Sequence, residues 1–227
     1  AGYWQMLADL IDANRTIDDA GDRRIFVREL LSHYVEDFGE VEGLEPEVAG
    51  YVLDARIALA RLLDEAGDQR AAVATLGPIA LDDPVHERRG EVRGVLDRGR
   101  AIGRPIALDF PLASGGRWRV ADHAGQPILL HYYAAGQAGS ATQVAALARA
   151  IEAADLGGFS VVSLCVDGVT DESARPPWPL ALVGPAEQKE LAPFGLTSVP
   201  MFVWLDAEGR ISAIGKTLDV VRRFPPP

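Results

Sequence analysis

The segment HYYAAGQAGS, residues 131–140, lies where a predicted strand ends and a predicted helix begins. Before it, Ile128–Leu130 is an apolar run of the kind that forms buried strands, and after it apolar residues recur at helical spacing from Val144 to Ile151. Gly136 and Gly139 punctuate the junction and indicate a turn. This stretch therefore predicts an α/β domain in the C-terminal part of the chain.

Two further patterns extend this domain. Phe159–Asp167 is almost continuously apolar, which is typical of a strand covered on both faces, and a helix from Ser140 to about Ala154 connects it to the first strand. Such a βαβ unit predicts parallel pairing of the two strands. Met201–Leu205 and Arg210–Ile214 flank a tight turn at Asp206–Gly209, which predicts a hairpin.

The pattern of apolar residues changes near residue 103, where helical periodicity is replaced by short apolar runs separated by glycine and proline. We expect two short strands after this point, Ile106–Phe110 and Gly116–Val120. The sequence thus predicts an all-helical domain at 1–102 and an α/β domain at 103–227. The length of 227 residues suits two modest domains.

Apolar stripes at helical spacing predict a series of helices before residue 103. The strongest stripe runs from Val27 to Phe38, and Pro46 suits the first turn of the next helix. Asp68 is predicted to cap a helix at Gln69–Ala80.

Part of this helical region resembles one tetratricopeptide unit. The matching residues are Leu59, Ala60, Leu63, Gly67, Asp68, Ala72, Leu76 and Leu81–Pro84. Pro78 departs from the pattern because proline breaks a helix, and no second copy follows at the same period. The resemblance implies a concave peptide-binding surface; the open alternative is an ordinary antiparallel helical hairpin that serves as a spacer.

The charges argue against several classes of partner. With 22 basic and 33 acidic residues the net charge is -11, which disfavours extensive binding of nucleic acid or anionic membranes. One local basic stretch is expected to form a solvated face paired with nearby acidic residues, with a docking site for an acidic partner as the weaker alternative. Its members are Arg88, Arg89, Arg93, Arg98, Arg100 and Arg104.

No cofactor is expected from the sequence. The four histidines lack metal-ligand spacing. A calcium or magnesium site at Asp167, Asp171 and Glu172, which follow the second core strand, is the weaker alternative.

The strand–turn–helix junction resembles the active-site loop of the thioredoxin-like superfamily, in its TlpA-like thiol-disulfide reductase and AhpC/TSA branch. That family carries a Cys-x-x-Cys pair, and the matching positions here are Gln137 and Ser140. The segment Phe194–Ile214 is similar to the family's second signature, which implies a cis peptide bond at Pro200. The resemblance covers residues 103–223 and implies a thioredoxin-like fold for the second domain.

Dithiol chemistry is excluded by the sequence itself. A dithiol reductase needs one thiolate to attack and a second thiol to resolve the mixed disulfide, and the chain has a single cysteine, Cys165. The resemblance then favours a redox-inactive module that binds a protein or peptide, or serves as a scaffold. Its expected binding residues are Tyr133, Gly136, Gln137, Ser140, Trp178, Val199 and Pro200, whereas His131 is interpreted as an ordinary strand residue.

The open alternative is a thiol-dependent oxidoreductase or peroxidase that uses Cys165 alone. Its position in the middle of an apolar strand favours a buried core cysteine instead. The resemblance also implies a periplasmic or cell-envelope location. Membrane attachment is expected only through a removed N-terminal anchor, since no segment approaches the ~20 apolar residues of a membrane span.

Overall fold

The structure is a computed structural model that describes residues 2–39, 41, 43–77, 89–153, 158–168 and 174–223. Its helices are α1 (Gly2–Thr16), α2 (Ala20–Phe38), α3 (Pro46–Glu65), α4 (Gln69–Leu76), α5 (Arg89–Ala101), α6 (Ser140–Ala153), α7 (Pro185–Leu191) and α8 (Asp219–Arg223). Its strands are β1 (Asp109–Pro111), β2 (Arg117–Arg119), β3 (Ile128–Tyr133), β4 (Ser160–Cys165), β5 (Leu180–Leu182), β6 (Met201–Leu205) and β7 (Ile211–Gly215). Among the helices so described, none has the length and hydropathy required to cross a membrane.

The described residues fall into two compact units. One comprises those of Ala1–Leu63 and Arg70–Val95, and the other those of Asp64–Gln69 and Leu96–Pro227. The turn between α3 and α4 and the end of α5 therefore belong to the same unit as the strands. The domain boundary predicted at residue 103 stays a prediction.

The first unit is built around the predicted stripe on α2. Asp19 begins this helix because its side chain accepts the backbone N–H groups of Gly21 and Asp22, at 2.8 and 2.9 Å. The buried core of the unit consists of Met6, Leu31, Tyr34, Val52, Ala55 and Leu59. These helices pack through one apolar face each, as the periodicity predicts.

The helix predicted at Gln69–Ala80 is shorter in the structure. α3 begins at Pro46 as predicted, and α4 ends at Leu76, before the helix-breaking Pro78. Residues 78–88 lie outside the described residues, and they include part of the tetratricopeptide-like match. That match therefore stays a prediction.

The second unit is organised on a five-stranded sheet in the order β5-β4-β3-β6-β7. β3 pairs parallel with β4, and β4 pairs parallel with β5. On the other side of β3, β6 pairs antiparallel with β3, and β7 pairs antiparallel with β6. The predicted βαβ unit and the C-terminal hairpin are confirmed. The strand β5 and the helix α7 were not predicted, and the hairpin of β1 and β2 is shorter than the strands predicted there.

Helices cover both faces of this sheet. On one face the strands pack against Leu191 of α7, and on the other they pack against Leu147 of α6 and Val220 of α8. The central strand β3 is buried along its whole length. This double cover explains why the core strands are continuously apolar in the sequence.

Both outer strands are hydrogen bonded on their outward side. On β7, the carbonyl of Ile211 accepts the N–H of Gly103 at 2.7 Å, and its own N–H donates to the carbonyl of Arg104 at 3.0 Å. On β5, the carbonyl of Leu180 accepts the N–H of Ala113 at 2.8 Å.

The basic stretch before residue 103 is not uniformly solvated. Arg100 forms an exposed ion pair with Asp97, at 3.5 Å, as predicted. Arg98, in contrast, is only 5% exposed; its Nε lies 2.8 and 2.9 Å from the two carboxylate oxygens of Asp64, and its Nη2 lies 2.7 Å from Oδ2. The prediction of a solvated face was wrong for Arg98, because the end of α5 lies in the core of the second unit.

Candidate functional site

The loop between β3 and α6, residues 134–139, is held by its own hydrogen bonds. The N–H of Gln137 donates to the carbonyl of Ala134 at 3.3 Å, and the N–H of Ser140 donates to the carbonyl of Gln137 at 3.1 Å. The Ser140 hydroxyl also donates to the Ala134 carbonyl, at 2.5 Å. Gly139 has φ of +88°, a left-handed conformation that favours glycine, immediately before α6 begins. The predicted strand–turn–helix junction is confirmed.

Asp167 secures this loop from the end of the neighbouring strand. Its carboxylate accepts the N–H groups of Ala135 and Gly136, both at 2.8 Å. Partial burial acts to raise the pKa of Asp167, but the hydrogen bonds from Gly136 and Ala135 outweigh it, so the pKa lies below its ordinary value. A carboxylate that stays charged is a strong acceptor, and it fixes the loop geometry.

The sequence predicted only a metal-binding role for Asp167. The other two members of that set, Asp171 and Glu172, lie outside the described residues. Within the ranges that the structure describes, no group of three or more His, Cys, Asp or Glu residues is arranged to hold a metal ion. The contact between Asp167 and the loop could have been found only from the strand register. Tyr133 pairs with Cys165 in parallel strands, so that Ala135 and Asp167, each two residues further along, lie side by side.

Cys165, the single thiol, lies in the core at the end of β4. It is 1% exposed and packs with Tyr133, Val144 and Ala174. Its Sγ–H donates to Oδ1 of Asp167 at 3.3 Å. Burial raises the pKa of the Cys165 thiol, which disfavours the reactive thiolate.

A buried histidine lies beneath the loop, on the face of the sheet that α6 covers. The His131 ring is stacked between Tyr133 and Phe202, with centroid distances of 4.7 and 5.2 Å. No part of His131 is exposed. Its position inside β3 agrees with the interpretation of an ordinary strand residue.

His131 belongs to a chain of polar side chains. Nδ1 of His131 lies 3.0 Å from Oγ of Ser163, and Nε2 lies 3.4 Å from Oε1 of Gln143. The Nε1–H of Trp178 donates to the same serine oxygen, at 2.8 Å. A neutral His131 with its proton on Nε2 satisfies every partner. Nε2–H then donates a hydrogen bond to Gln143, while the Ser163 hydroxyl accepts from Trp178 and donates a hydrogen bond to Nδ1. Burial lowers the pKa of His131 from 6.5 to about 4, opposed by the bond to Gln143.

The peptide bond between Val199 and Pro200 is cis, as the resemblance implies. Pro200 directly precedes β6, whose first residue, Met201, pairs with Tyr132 near the end of β3. Pro200 therefore lies at the same end of the sheet as the loop 134–139. Within the described part of the chain, neither the N–H nor the carbonyl of Val199 has a hydrogen-bond partner.

Four of the predicted binding residues therefore come to one end of the sheet. Gly136 and Gln137 are exposed on the loop, and Val199 and Pro200 are partly exposed at the start of the neighbouring strand. This end of the sheet, comprising residues 134–139 and 199–200, is called the loop edge below.

The other three predicted binding residues are occupied by contacts within the protein. Tyr133 is 1% exposed and its hydroxyl donates to the carbonyl of Ala174 at 3.1 Å. Ser140 is 6% exposed and donates back into the loop, while Trp178 is bonded to Ser163. Of the three, Ser140 is hydrogen bonded to the loop itself, at Ala134.

Comparison with known proteins agrees with this fold. No protein-family model matches the chain, and no curated protein matches it in sequence. Among solved structures, the chain is similar to a thioredoxin-like protein from Bacteroides caccae, with a TM-score of 0.59 and 17% identity over 89% of this chain and 81% of that one. This similarity shows a thioredoxin-like α/β domain preceded by a helical region.

Two further structures match only part of this chain. The thioredoxin domain of a thiol-disulfide oxidoreductase from Bacteroides vulgatus has 19% identity and a TM-score of 0.47, over 54% of this chain and 94% of that one. A thiol:disulfide interchange protein of the thioredoxin family from Chlorobium tepidum has 14% identity and a TM-score of 0.43, over 54% of this chain and 92% of that one.

Proposed function

We propose that the chain is a redox-inactive thioredoxin-like protein that binds an extended peptide segment of a protein partner at the loop edge. The observation that carries this proposal is the chemistry of the loop. Gln137 presents an exposed amide, the Ser140 hydroxyl is hydrogen bonded to Ala134, and the single thiol, on Cys165, is buried. The loop edge thus has no group for disulfide exchange, but it retains groups for recognition.

The backbone of Val199 is the main recognition element in this proposal. An extended peptide adds to a protein by pairing its main chain with unpaired N–H and carbonyl groups. Val199 offers both groups beside the exposed loop. Gly136 and Gln137 lie at the same end of the sheet, and Asp167 holds their loop in a fixed geometry before any partner binds. Such preorganisation lowers the entropy cost of binding.

The alternative, an oxidoreductase or peroxidase that uses Cys165, has less support. A peroxidatic or attacking thiol has to be accessible and ionised. Cys165 is 1% exposed and burial raises its pKa. By the family resemblance we further propose a periplasmic or cell-envelope location. From the net charge of -11 we propose no nucleic-acid partner, and from the scattered histidines no metal or other cofactor.

Titration of a panel of unstructured peptides of about ten residues into ¹⁵N-labelled protein tests the proposal. We expect a binding peptide to shift the amide signals of Gly136, Gln137 and Val199. The variant Gln137→Trp, which crowds the exposed loop, is expected to weaken binding at least about tenfold, the equivalent of ~1.4 kcal/mol. Glu208→Trp, on the exposed turn at the opposite end of β6, is the matched control and is expected to bind like the wild type.

Absence of binding by every peptide of the panel would overturn the proposal, and so would either of two other results. One is peptide-induced shifts that fall elsewhere on the sheet and are insensitive to Gln137→Trp. The other is peroxide or disulfide turnover by the wild type that disappears in Cys165→Ser, which would establish the enzymatic alternative.

A further inference from the structure

We propose that Arg98 is a positioning residue for the loop edge: from the end of α5 it fixes Gly195 and thereby the segment that leads to Val199 and Pro200. The inference rests on the proposed function. It assigns a role to helical residues that lie before the segment 103–223, to which the family resemblance is confined.

The guanidinium of Arg98 contacts two parts of the second unit at once. Nε and Nη2 are occupied by the carboxylate of Asp64, and Nη1 donates to the carbonyl of Gly195 at 3.1 Å. Asp64 and Arg98 are 1% and 5% exposed, and Gly195 is buried. A buried bond from a charged donor is strong, and its loss would leave a buried carbonyl unpaired.

Gly195 is the point where the chain turns toward the loop edge. It follows the 3-10 helix Ala192–Phe194, adopts φ of 71°, and donates its N–H to the carbonyl of Ala192 at 2.9 Å. Leu196, the next residue, is 1% exposed. Only residues 197–200 separate it from β6, so the position of the Gly195 carbonyl constrains where the Val199 backbone lies.

A second arginine contacts the same turn. The guanidinium carbon of Arg104 lies 5.1 Å from the centre of the Phe194 ring, a cation–π contact. The turn that leads to the loop edge is therefore held at two adjacent residues, at Phe194 by Arg104 and at Gly195 by Arg98.

Asp64 is itself fixed to the sheet. The Gln69 side chain donates to the carbonyl of Asp64 at 3.3 Å and also to the carbonyl of Ile214 in β7. The carbonyl of Glu65 accepts the N–H of Lys216 at 3.0 Å. Because the anchor of Arg98 is tied to β7, we infer that Arg98 sets the position of Gly195 rather than following it.

The double variant Asp64→Leu/Arg98→Met separates positioning from stability. It replaces the buried ion pair with apolar side chains of similar size, which is often neutral for stability, whereas either single change leaves a buried group unpaired. We expect the double variant to unfold at a lower midpoint than the wild type, because the buried Gly195 carbonyl loses its donor, but at a higher midpoint than either single variant. We also expect it to bind the peptide that shifts Val199 about five- to tenfold more weakly, because Gly195 has lost its charged donor.

Two further variants complete the set. Arg98→Lys keeps a charge for Asp64 but lacks the planar fork that reaches Gly195, so it is expected to lose peptide affinity to a similar extent. Arg100→Met removes the exposed ion pair on the same helix and is expected to bind the peptide like the wild type.

A measurement without peptide decides the role of Arg98 independently of the proposed function. In the double variant, the amides of residues 196–199 are expected to change their NMR shifts and to exchange hydrogen faster than in Arg100→Met. Wild-type shifts and exchange rates at these amides would refute positioning. If no peptide binds even the wild type, the proposed function fails, and the amide measurement still reports on Arg98.

Discussion

Acidification from pH 7 to pH 5 is expected to destabilise the sheet-containing unit through His131. This residue is fully buried between two aromatic rings, and in the folded state it accepts a proton only near pH 4. The unfolded chain takes up the same proton near pH 6.5. The free energy of unfolding therefore falls as the pH drops through 6.5, and the contribution of His131 levels off below about pH 4, where both states are protonated.

The size of the effect follows from the two pKa values. A shift from 6.5 to about 4 corresponds to roughly 3 kcal/mol in total, of which about 2 kcal/mol is lost between pH 7 and pH 5. The carboxyls with lowered pKa, Asp109 and Asp167, act in a different range. They lose their contributions only as the pH falls below their ordinary values, so the window from pH 7 to pH 5 isolates the histidine.

Urea unfolding at pH 7, 6 and 5, followed by tryptophan fluorescence, measures this loss. Trp118, Trp178 and Trp204 all lie in the second unit and report on it. His131→Phe, which keeps a ring between Tyr133 and Phe202 and removes the titrating group, is expected to show a flat profile over this range. His33→Gln, at an exposed position on α2, is the matched control and is expected to retain the wild-type slope. A flat wild-type profile, or an unchanged slope in His131→Phe, would refute the reasoning.

Three other outcomes are expected. Cys165 should react with a thiol reagent at neutral pH only after unfolding; rapid labelling of the native protein would contradict its burial and raised pKa. The double variant Gln137→Cys/Ser140→Cys should form a loop disulfide and catalyse insulin reduction, and failure of the bond to form would count against the alignment with the thioredoxin-like loop. Asp167→Asn should lower the free energy of unfolding by about 1 kcal/mol, because one of its two backbone donors loses its acceptor. Exposed Glu190→Gln serves as the control in the same urea experiment.

Local patterns predicted most of the fold. The stripe from Val27 to Phe38 and the long apolar run of β4 contain enough residues to show their periods, and the turn at Asp206–Gly209 has its own sequence signal. The strand β5 has only three residues, Leu180–Leu182, which is too short for an alternation to be seen. The strand was therefore missed, because its existence depends on pairing with β4.

Contacts between distant segments limited what the sequence predicted about the site. The cis bond at Pro200 was implied by the family resemblance and is confirmed. The bond between His131 and Ser163 and the role of Asp167 required the register of two parallel strands. The buried pair of Asp64 and Arg98 joins residues 34 positions apart, and Arg98 carries the same composition signal as its solvated neighbours. A charge pattern alone does not distinguish a buried arginine from an exposed one.

The outward hydrogen bonds of β5 and β7 have a consequence for the behaviour of the protein in concentrated solution. An open sheet normally offers two rows of unpaired backbone groups on which a second chain can assemble, and this is a common route to aggregation. Here the segments around Ala113 and Gly103 already occupy groups on those two sides. The sheet is open in topology, but part of each outer edge is already hydrogen bonded within the chain. Self-association by strand addition is disfavoured there, even though the chain contains long apolar strands.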